Sequence, residues 1–278
     1  MIDAEPARPV TETETRSRAE SARRTAYRSR FALVYVALAV VVGGGVGSFI
    51  VLISKPEAAP APSWSSWQPD GSPDSRVKQI ADRVSKRYRL PSGTQLAVAL
   101  VGPPAVSAGG QTGDVPVRAV AVRPDTSTGQ KEESDIDIID ARSSMMFILC
   151  GLGESCSIGE GKASEARHAL LRREALELSL YTFKYRDDVS AITVFLPPRK
   201  DAQASPTAVF LKRADLKDEL RKPLNRTLNP TAPALGQIPE AELANVNRTT
   251  RPHLYSYEYT QAQDGSAILV LSPIALGA

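Results

Sequence analysis

The segment of the sequence best suited to chemistry is the glycine-rich stretch FILCGLGESCSIGEGKASEARHALL, residues 147–171. An apolar run ends in Cys150, a second cysteine stands at Cys156, and a Gly161–Lys162 pair precedes a helical pattern. These residue types suit either a loop that binds a nucleotide phosphate or a thiol site. The sequence around each of them decides between the two.

The phosphate interpretation fails at two positions. A phosphate-binding loop requires the pattern G-x-x-x-x-G-K-[ST] between a strand and a helix. Gly161 and Lys162 fit this pattern, but Cys156 stands where the first glycine is needed and Ala163 where serine or threonine is needed. We therefore predict no nucleotide cofactor.

The thiol interpretation depends on the compartment. Cys150 and Cys156 are spaced C-x5-C, unlike the C-x-x-C of thioredoxin-like redox motifs. Outside the cytoplasm such a pair is usually oxidised, and closing so short a loop contributes about 2 kcal/mol in the loop-entropy description. We expect a Cys150–Cys156 disulfide there; the alternative is two unpaired thiols.

Residues 31–53 settle the expected compartment. This run of 23 residues has no charged side chain and, as a helix, is ~34 Å long, enough to cross a bilayer. Positive charge stays in the cytoplasm, so the N-terminus is expected inside and the C-terminal part outside. Six arginines lie in the fifteen residues just before the span: Arg16, Arg18, Arg23, Arg24, Arg28 and Arg30. The run is longer than the core of a signal peptide, so we expect an uncleaved, single-pass anchor in the cell membrane.

The predicted span carries a stripe of small residues. Gly43 and Gly47 form a GxxxG pair, which lets two membrane helices approach closely. This spacing is compatible with a homodimer through the span, although it does not favour one. The alternative is that glycine is simply common in membrane helices.

Composition divides the remaining chain into a tail, a linker and one domain. Residues 1–30 are polar and predict a disordered cytoplasmic tail, while the prolines of residues 54–73 are typical of a linker. Residues 74–278 then form the extracytoplasmic domain. Trp64 and Trp67 lie in the linker and are expected either at the lipid headgroups or against the domain.

Hydrophobic periodicity in the domain alternates between helices and strands. Helices are predicted over residues 74–88 and 163–186, with a shorter one ending near Lys222 before Pro223. Strands are predicted at residues 94–102, 115–123, 191–198 and 207–213, and residues 135–140 and 143–151 form two more strands or one long bent strand. A final hairpin is expected to turn at Asp264–Gly265. The fold class is α/β or α+β, with a mixed sheet and flanking helices.

The long helix contains the most unusual carboxylate. Its C-terminal half is apolar nearly all round, so Glu174 is expected to be buried. A buried carboxylate needs a partner or a raised pKa. Arg167, two turns earlier on the same face, is the expected partner; the alternative role for Glu174 is that of a catalytic acid.

Other candidate ligands give no metal or cofactor site. Asp135 and Asp137 share one face of a predicted strand and could hold Ca²⁺, but we expect them to form a solvated strand face. His168 and His253 lie beside no nucleophile motif and are expected to serve at the surface or in packing. The formal net charge of only +3 argues against a nucleic-acid partner.

One set of segments resembles a known group of proteins. The runs LLRREALELSLYTFKY, ITVFLPPRK and VFLKRADLKDEL resemble an uncharacterised actinobacterial family of single-pass membrane proteins. The resemblance implies a shared extracytoplasmic fold over residues 76–275 and no catalytic residue. We expect an anchored module that binds an envelope protein or cell-wall polymer; the alternative is a membrane-tethered hydrolase-like enzyme that uses carboxylates.

Overall fold

The chain divides into two compact units, Met1–Ala61 and Pro62–Ala278. A computed structural model describes residues 37–38, 63–103, 106–108, 111–113, 116–126, 129, 132, 134–198 and 206–274. In the first unit this covers only Ala37 and Leu38, both helical, so the predicted span and its glycines Gly43 and Gly47 lie outside the described residues. Among the residues that are described, no helix has both the length and the apolar character needed to cross a membrane.

The second unit is built on a mixed sheet. The strands described by the structure are β1 (Val98–Val101), β2 (Val106–Ala108), β3 (Gln111–Gly113), β4 (Val117–Val122), β5 (Asp137–Asp140), β6 (Ser144–Cys150), β7 (Ala191–Phe195), β8 (Thr207–Lys212), β9 (Leu254–Gln261) and β10 (Ala267–Pro273). Eight of them form one sheet in the order β1-β6-β7-β8-β9-β10-β4-β5, while β2 and β3 form a separate hairpin. The pairs β6–β7 and β10–β4 are parallel, and the other neighbours are antiparallel.

Four helices accompany the sheet: α1 (Pro73–Ser85), α2 (Glu165–Tyr185), α3 (Lys217–Arg221) and α4 (Glu240–Thr250). Most strand pairs in the sheet are antiparallel, and two are parallel. The fold is therefore α+β, one of the two predicted classes. The predicted Asp264–Gly265 hairpin is confirmed as the turn between β9 and β10, where Gly265 has a φ of 81°. The segments predicted as residues 135–140 and 143–151 are two strands, separated by the 3-10 turn Ala141–Ser143.

Helix α2 connects the parallel strands β6 and β7 and forms the centre of the helical layer. It begins after Ser164, whose Oγ accepts a hydrogen bond from the Arg167 amide at 3.2 Å. It ends at Tyr185. Arg213 Nη1 donates a hydrogen bond of 2.7 Å to the Phe183 carbonyl, one of the last carbonyls of the helix, which lack a partner within it. Helices α1 and α4 contact its other sides, which explains why this helix is buried all round.

The two faces of the sheet have separate apolar clusters. The larger cluster joins β6, β7 and β8 to helices α1 and α2, and the smaller lies on the opposite face. An ion pair shows that the sheet is strongly curved. Asp137 in β5 is bound to Lys212 of β8, although three strands lie between β5 and β8 in the sheet order. The smaller cluster therefore lies on the concave side.

The two tryptophans cover the domain. The Trp64 ring lies 5.3 Å from the Tyr181 ring, centroid to centroid, and 6.1 Å from Tyr185, both edge to face. Trp67 lies 5.4 Å from Tyr181. The Trp64 carbonyl also accepts a hydrogen bond of 2.7 Å from the Leu224 amide. Residues 63–72, which the sequence assigns to the linker, therefore belong to the folded unit that begins at Pro62.

Candidate functional site

The two cysteines are bonded to each other, as the sequence predicts. Cys150 ends β6, and Cys156 lies in a short 3-10 turn with a Cα–Cα distance of 4.4 Å to it. Ser155 and Cys156 have φ values of 51° and 61°, a conformation that non-glycine residues seldom adopt. The disulfide holds this tight loop against the end of the strand.

Two glycine amides of the loop donate hydrogen bonds within the loop itself. The Gly151 amide donates to the Cys156 carbonyl at 2.8 Å, and the Gly153 amide donates to the Ser157 carbonyl at 2.7 Å. A Cβ on Gly151 would lie 2.2 Å from the Ser157 oxygen, so glycine is needed for close approach of the chain to itself. The glycines are therefore structural.

A buried ionic network on α2 is the main polar feature that the sequence did not reveal. The fully buried Arg173 donates to the Tyr88 hydroxyl at 2.5 Å and to Glu242 Oε1 at 2.7 Å, and its Nη1 lies 3.3 Å from Glu177 Oε2. The Tyr88 hydroxyl donates to Glu177 at 2.6 Å. Burial, together with the Glu177 charge, raises the pKa of Tyr88 well above its usual value.

Two further contacts complete this network. Arg87 forms an ion pair with Glu177 and also donates to the Pro230 carbonyl. Arg173 Nη2 donates to the Asn229 carbonyl at 2.9 Å. The network therefore ties α1, α2, α4 and the segment before α4 together, with two cations facing two carboxylates.

Glu174 lies beside this network without belonging to it. Its side chain is 0% exposed, and neither carboxyl oxygen has a hydrogen-bond partner. Burial first, and then repulsion from Glu177, raise its pKa well above the ordinary value of 4.5. The direction of this shift is the one expected for a buried carboxylate without a cationic partner.

The expected partner of Glu174 is wrong. The Arg167 side chain points to the loop instead, where its Nη2 donates to the Glu160 carbonyl at 2.5 Å. Arg172, one turn further along α2, is bound only by neutral groups, donating to Thr250 Oγ1 at 2.9 Å and Asn247 Oδ1 at 2.8 Å. Burial, and the nearby charge of Arg251, lower its pKa to about 10.

The acidic candidates are dispersed. Asp137 is bound to Lys212, and Asp135 accepts a hydrogen bond from the Glu132 amide at 3.1 Å. In the part of the chain that the structure describes, no group of three or more His, Cys, Asp or Glu side chains is placed to hold a metal ion.

The histidines are in different surroundings. His253 Nδ1 lies 3.7 Å from Asp215, and burial lowers the pKa of His253. His168 lies on α2, in the turn that follows Ser164.

A surface groove lies where β4 extends beyond β5. Strand β5 pairs only with Ala119–Val122, so Val117 and Arg118 project past its end. The groove has a volume of about 550 Å³. Its lining residues are Val117, Arg118, Ala119, Ile138, Asp140, Ala141 and Arg142.

Both arginines of the groove have exposed acidic partners. Arg118 lies 2.8 Å from Asp264, and Arg142 lies 2.6 Å from Asp140. Hydrogen bonds from the side chain and amide of Arg142 lower the pKa of Asp140 to about 2. Exposed ion pairs of this kind contribute little to stability, so either arginine can exchange its acid for a ligand.

No family model, curated protein or solved structure matches this chain. The resemblance to actinobacterial single-pass membrane proteins therefore stays a prediction.

Proposed function

We propose that the chain is a membrane-anchored extracytoplasmic binding module of the cell envelope. Residues 31–53 would be its single span, with the N-terminus in the cytoplasm and the Pro62–Ala278 unit outside. The disulfide supports this side of the membrane, because disulfides persist where thiols are not kept reduced. No cofactor is required by the proposal.

The tether in this proposal is short. The two tryptophans pack against α2, so the folded unit begins at Pro62. Only residues 54–61 remain between the predicted span and the domain. The module would therefore act close to the membrane surface.

The groove beside β5 carries the proposal. It combines an apolar floor, including the 63% exposed Ile138, with two guanidinium groups whose acidic partners are exposed. Apolar surface with a few directed polar groups is typical of binding sites. We infer an acidic, partly apolar segment of an envelope protein as the ligand.

The carboxylates of the alternative enzyme do not support it. Glu174 is fully buried, and Asp137 is bound to Lys212. A catalytic carboxylate must reach its substrate within hydrogen-bond distance. We therefore keep binding as the proposed function.

The test is photocrosslinking in cells that produce the full chain. A photoreactive amino acid at Ile138 is expected to capture one envelope protein, identified by mass spectrometry, and the same amino acid at the exposed Leu152 is not. Arg118→Glu with Arg142→Glu should abolish the capture, because the two cations become anions.

The matched control is Arg221→Glu with Arg248→Glu, which changes two equally exposed arginines outside the groove. Capture that survives the groove variant, or that yields only cell-wall polymer, would contradict the proposed ligand. A phosphatase fused after Ala278 should be active in the same cells. An inactive fusion would refute the topology.

A further inference from the structure

The exposed apolar residues of the folded unit lie at the two edges of the sheet. The large exposed hydrophobic residues described there are Leu100, Val101, Ile136, Ile138 and Leu152. The first two lie in β1 and Ile138 lies in β5, and these are the two edge strands. Leu152 follows the end of β6, the only sheet neighbour of β1 among the described strands.

The two edges differ in charge. Strand β5 carries Asp137 and Asp140, and charged side chains are a usual protection of an edge strand. Residues 95–102, which contain β1, include neither a charged residue nor a proline. An apolar strand without such protection can pair with a further strand.

Among the described residues, β1 has no strand partner on the side away from β6, and it also contacts helix α1. The Gly102 amide donates to the Met146 carbonyl at 2.9 Å, so by antiparallel alternation Leu100 also directs its amide and carbonyl toward β6. Ala99 and Val101 direct theirs away from β6. Ala97, two residues before Ala99, also directs its carbonyl away from β6. That carbonyl already accepts a hydrogen bond of 2.9 Å from Gln95 Nε2.

We propose that β1 pairs with β1 of a second copy of this chain, antiparallel and around a two-fold axis at Leu100. Ala99 of one copy then lies opposite Val101 of the other, and the two residue pairs exchange four backbone hydrogen bonds. The two Leu100 residues face each other as a non-hydrogen-bonded pair, whose Cα atoms are about 4.5 Å apart. The 45% exposed Leu100 and the 41% exposed Val101 become covered in this dimer.

The charge distribution favours a second β1 over other occupants of the same chain. Two uncharged strands meet without repulsion, and the two-fold axis gives each Leu100 an apolar neighbour. A β5 strand in this place would set Asp137 and Asp140 beside a strand with no cation.

The interface is small, so the proposed membrane anchor contributes by raising the local concentration of copies. This contribution rests on the proposed function, whereas the register of the two strands does not.

Disulfide trapping in the full chain tests the register. With Leu100→Cys, treatment of membranes with a mild oxidant should convert most of the monomer band into a band of twice the mass, which reductant reverses. The expected separation of the two Cα atoms falls within the range that a disulfide bridges.

Val101→Cys is the matched control in the same strand. Its counterparts in the proposed register are separated by more than about 7 Å, beyond the reach of a disulfide. Ile138→Cys on the acidic edge is the second control. Dimer formation from Ile138→Cys but not from Leu100→Cys, or equal formation from all three, overturns the proposal.

The oligomeric state provides a second measurement. Mass photometry of the full chain in detergent should show loss of the dimer with Leu100→Lys and no loss with Ile138→Lys. The reverse pattern overturns the proposal. Capture from Ile138 should persist in Leu100→Lys, so failure of the dimer and failure of the binding function are seen separately.

Discussion

Replacing Glu174 with glutamine should stabilise the domain at neutral pH. In the folded state, burial and then the charge of Glu177 raise the pKa of this carboxyl. The unfolded chain ionises it above the ordinary pKa of 4.5. Folding of the wild type must therefore take up a proton at pH 7, and the glutamine variant avoids this requirement.

The pH dependence gives both the sign and the upper limit. Because the folded pKa is raised, the wild type loses stability as pH rises from 4.5 toward the folded pKa. Each pH unit is worth 1.36 kcal/mol, so the gain of Glu174→Gln at pH 7 is at most about 3 kcal/mol. Near pH 4 the gain should disappear. Glu174→Leu should be more stable than Glu174→Gln, by a similar amount at pH 4 and at pH 7. Leucine also removes a buried polar group that has no hydrogen bonds.

Urea unfolding followed by tryptophan fluorescence measures these differences. The chain has two tryptophans, and both pack against Tyr181 of α2, so their fluorescence reports on this domain. Glu240→Gln, at an exposed position of α4, is the control and should show no comparable gain. A Glu174→Gln variant that is less stable than the wild type at pH 7 would refute a neutral, unbonded Glu174.

Three further changes test the packing around α2 and the loop. Tyr88→Phe should cost about 1–3 kcal/mol of unfolding free energy in urea titration, since Arg173 and Glu177 lose a buried hydrogen-bond partner; an unchanged midpoint would contradict this. Cys150→Ser should cost about 2 kcal/mol by the same assay, with no further loss on adding reductant. Trp64→Ala should lower the thermal midpoint, because the residue packs on the core; an unchanged midpoint would place it outside the folded unit.

The elements of the domain could be predicted where apolar periodicity is strong. The long helix was expected over residues 163–186 and is found at Glu165–Tyr185, and its nearly continuous apolar surface correctly indicated burial on all sides. Helix α4 and the β2–β3 hairpin were not predicted. The parallel pairing of β10 with β4 could not be predicted either. Which strand lies beside another depends on packing in the whole sheet.

The polar network could not be predicted, and sequence reasoning identified only Glu174, which lies beside it. Its members come from distant parts of the sequence: Tyr88 is 89 positions from Glu177, and Glu242 is 69 positions from Arg173. Spacing along one helix pointed to Arg167, which instead binds the Glu160 carbonyl. Helical spacing identifies residues on one face, but it does not show which other element supplies a partner to that face.

Charge balance explains why the pKa of Glu174 is raised. The network sets Arg87 and Arg173 against Glu177 and Glu242, so its two cations already have two carboxylates. A third buried carboxylate has no cation left to offset its desolvation, and it takes up a proton instead. The glycine-rich loop, which looked most like a chemical site, is closed by its own hydrogen bonds and disulfide. The carboxyl with the unusual pKa, that of Glu174, thus lies inside α2. Residue spacing alone did not identify its surroundings.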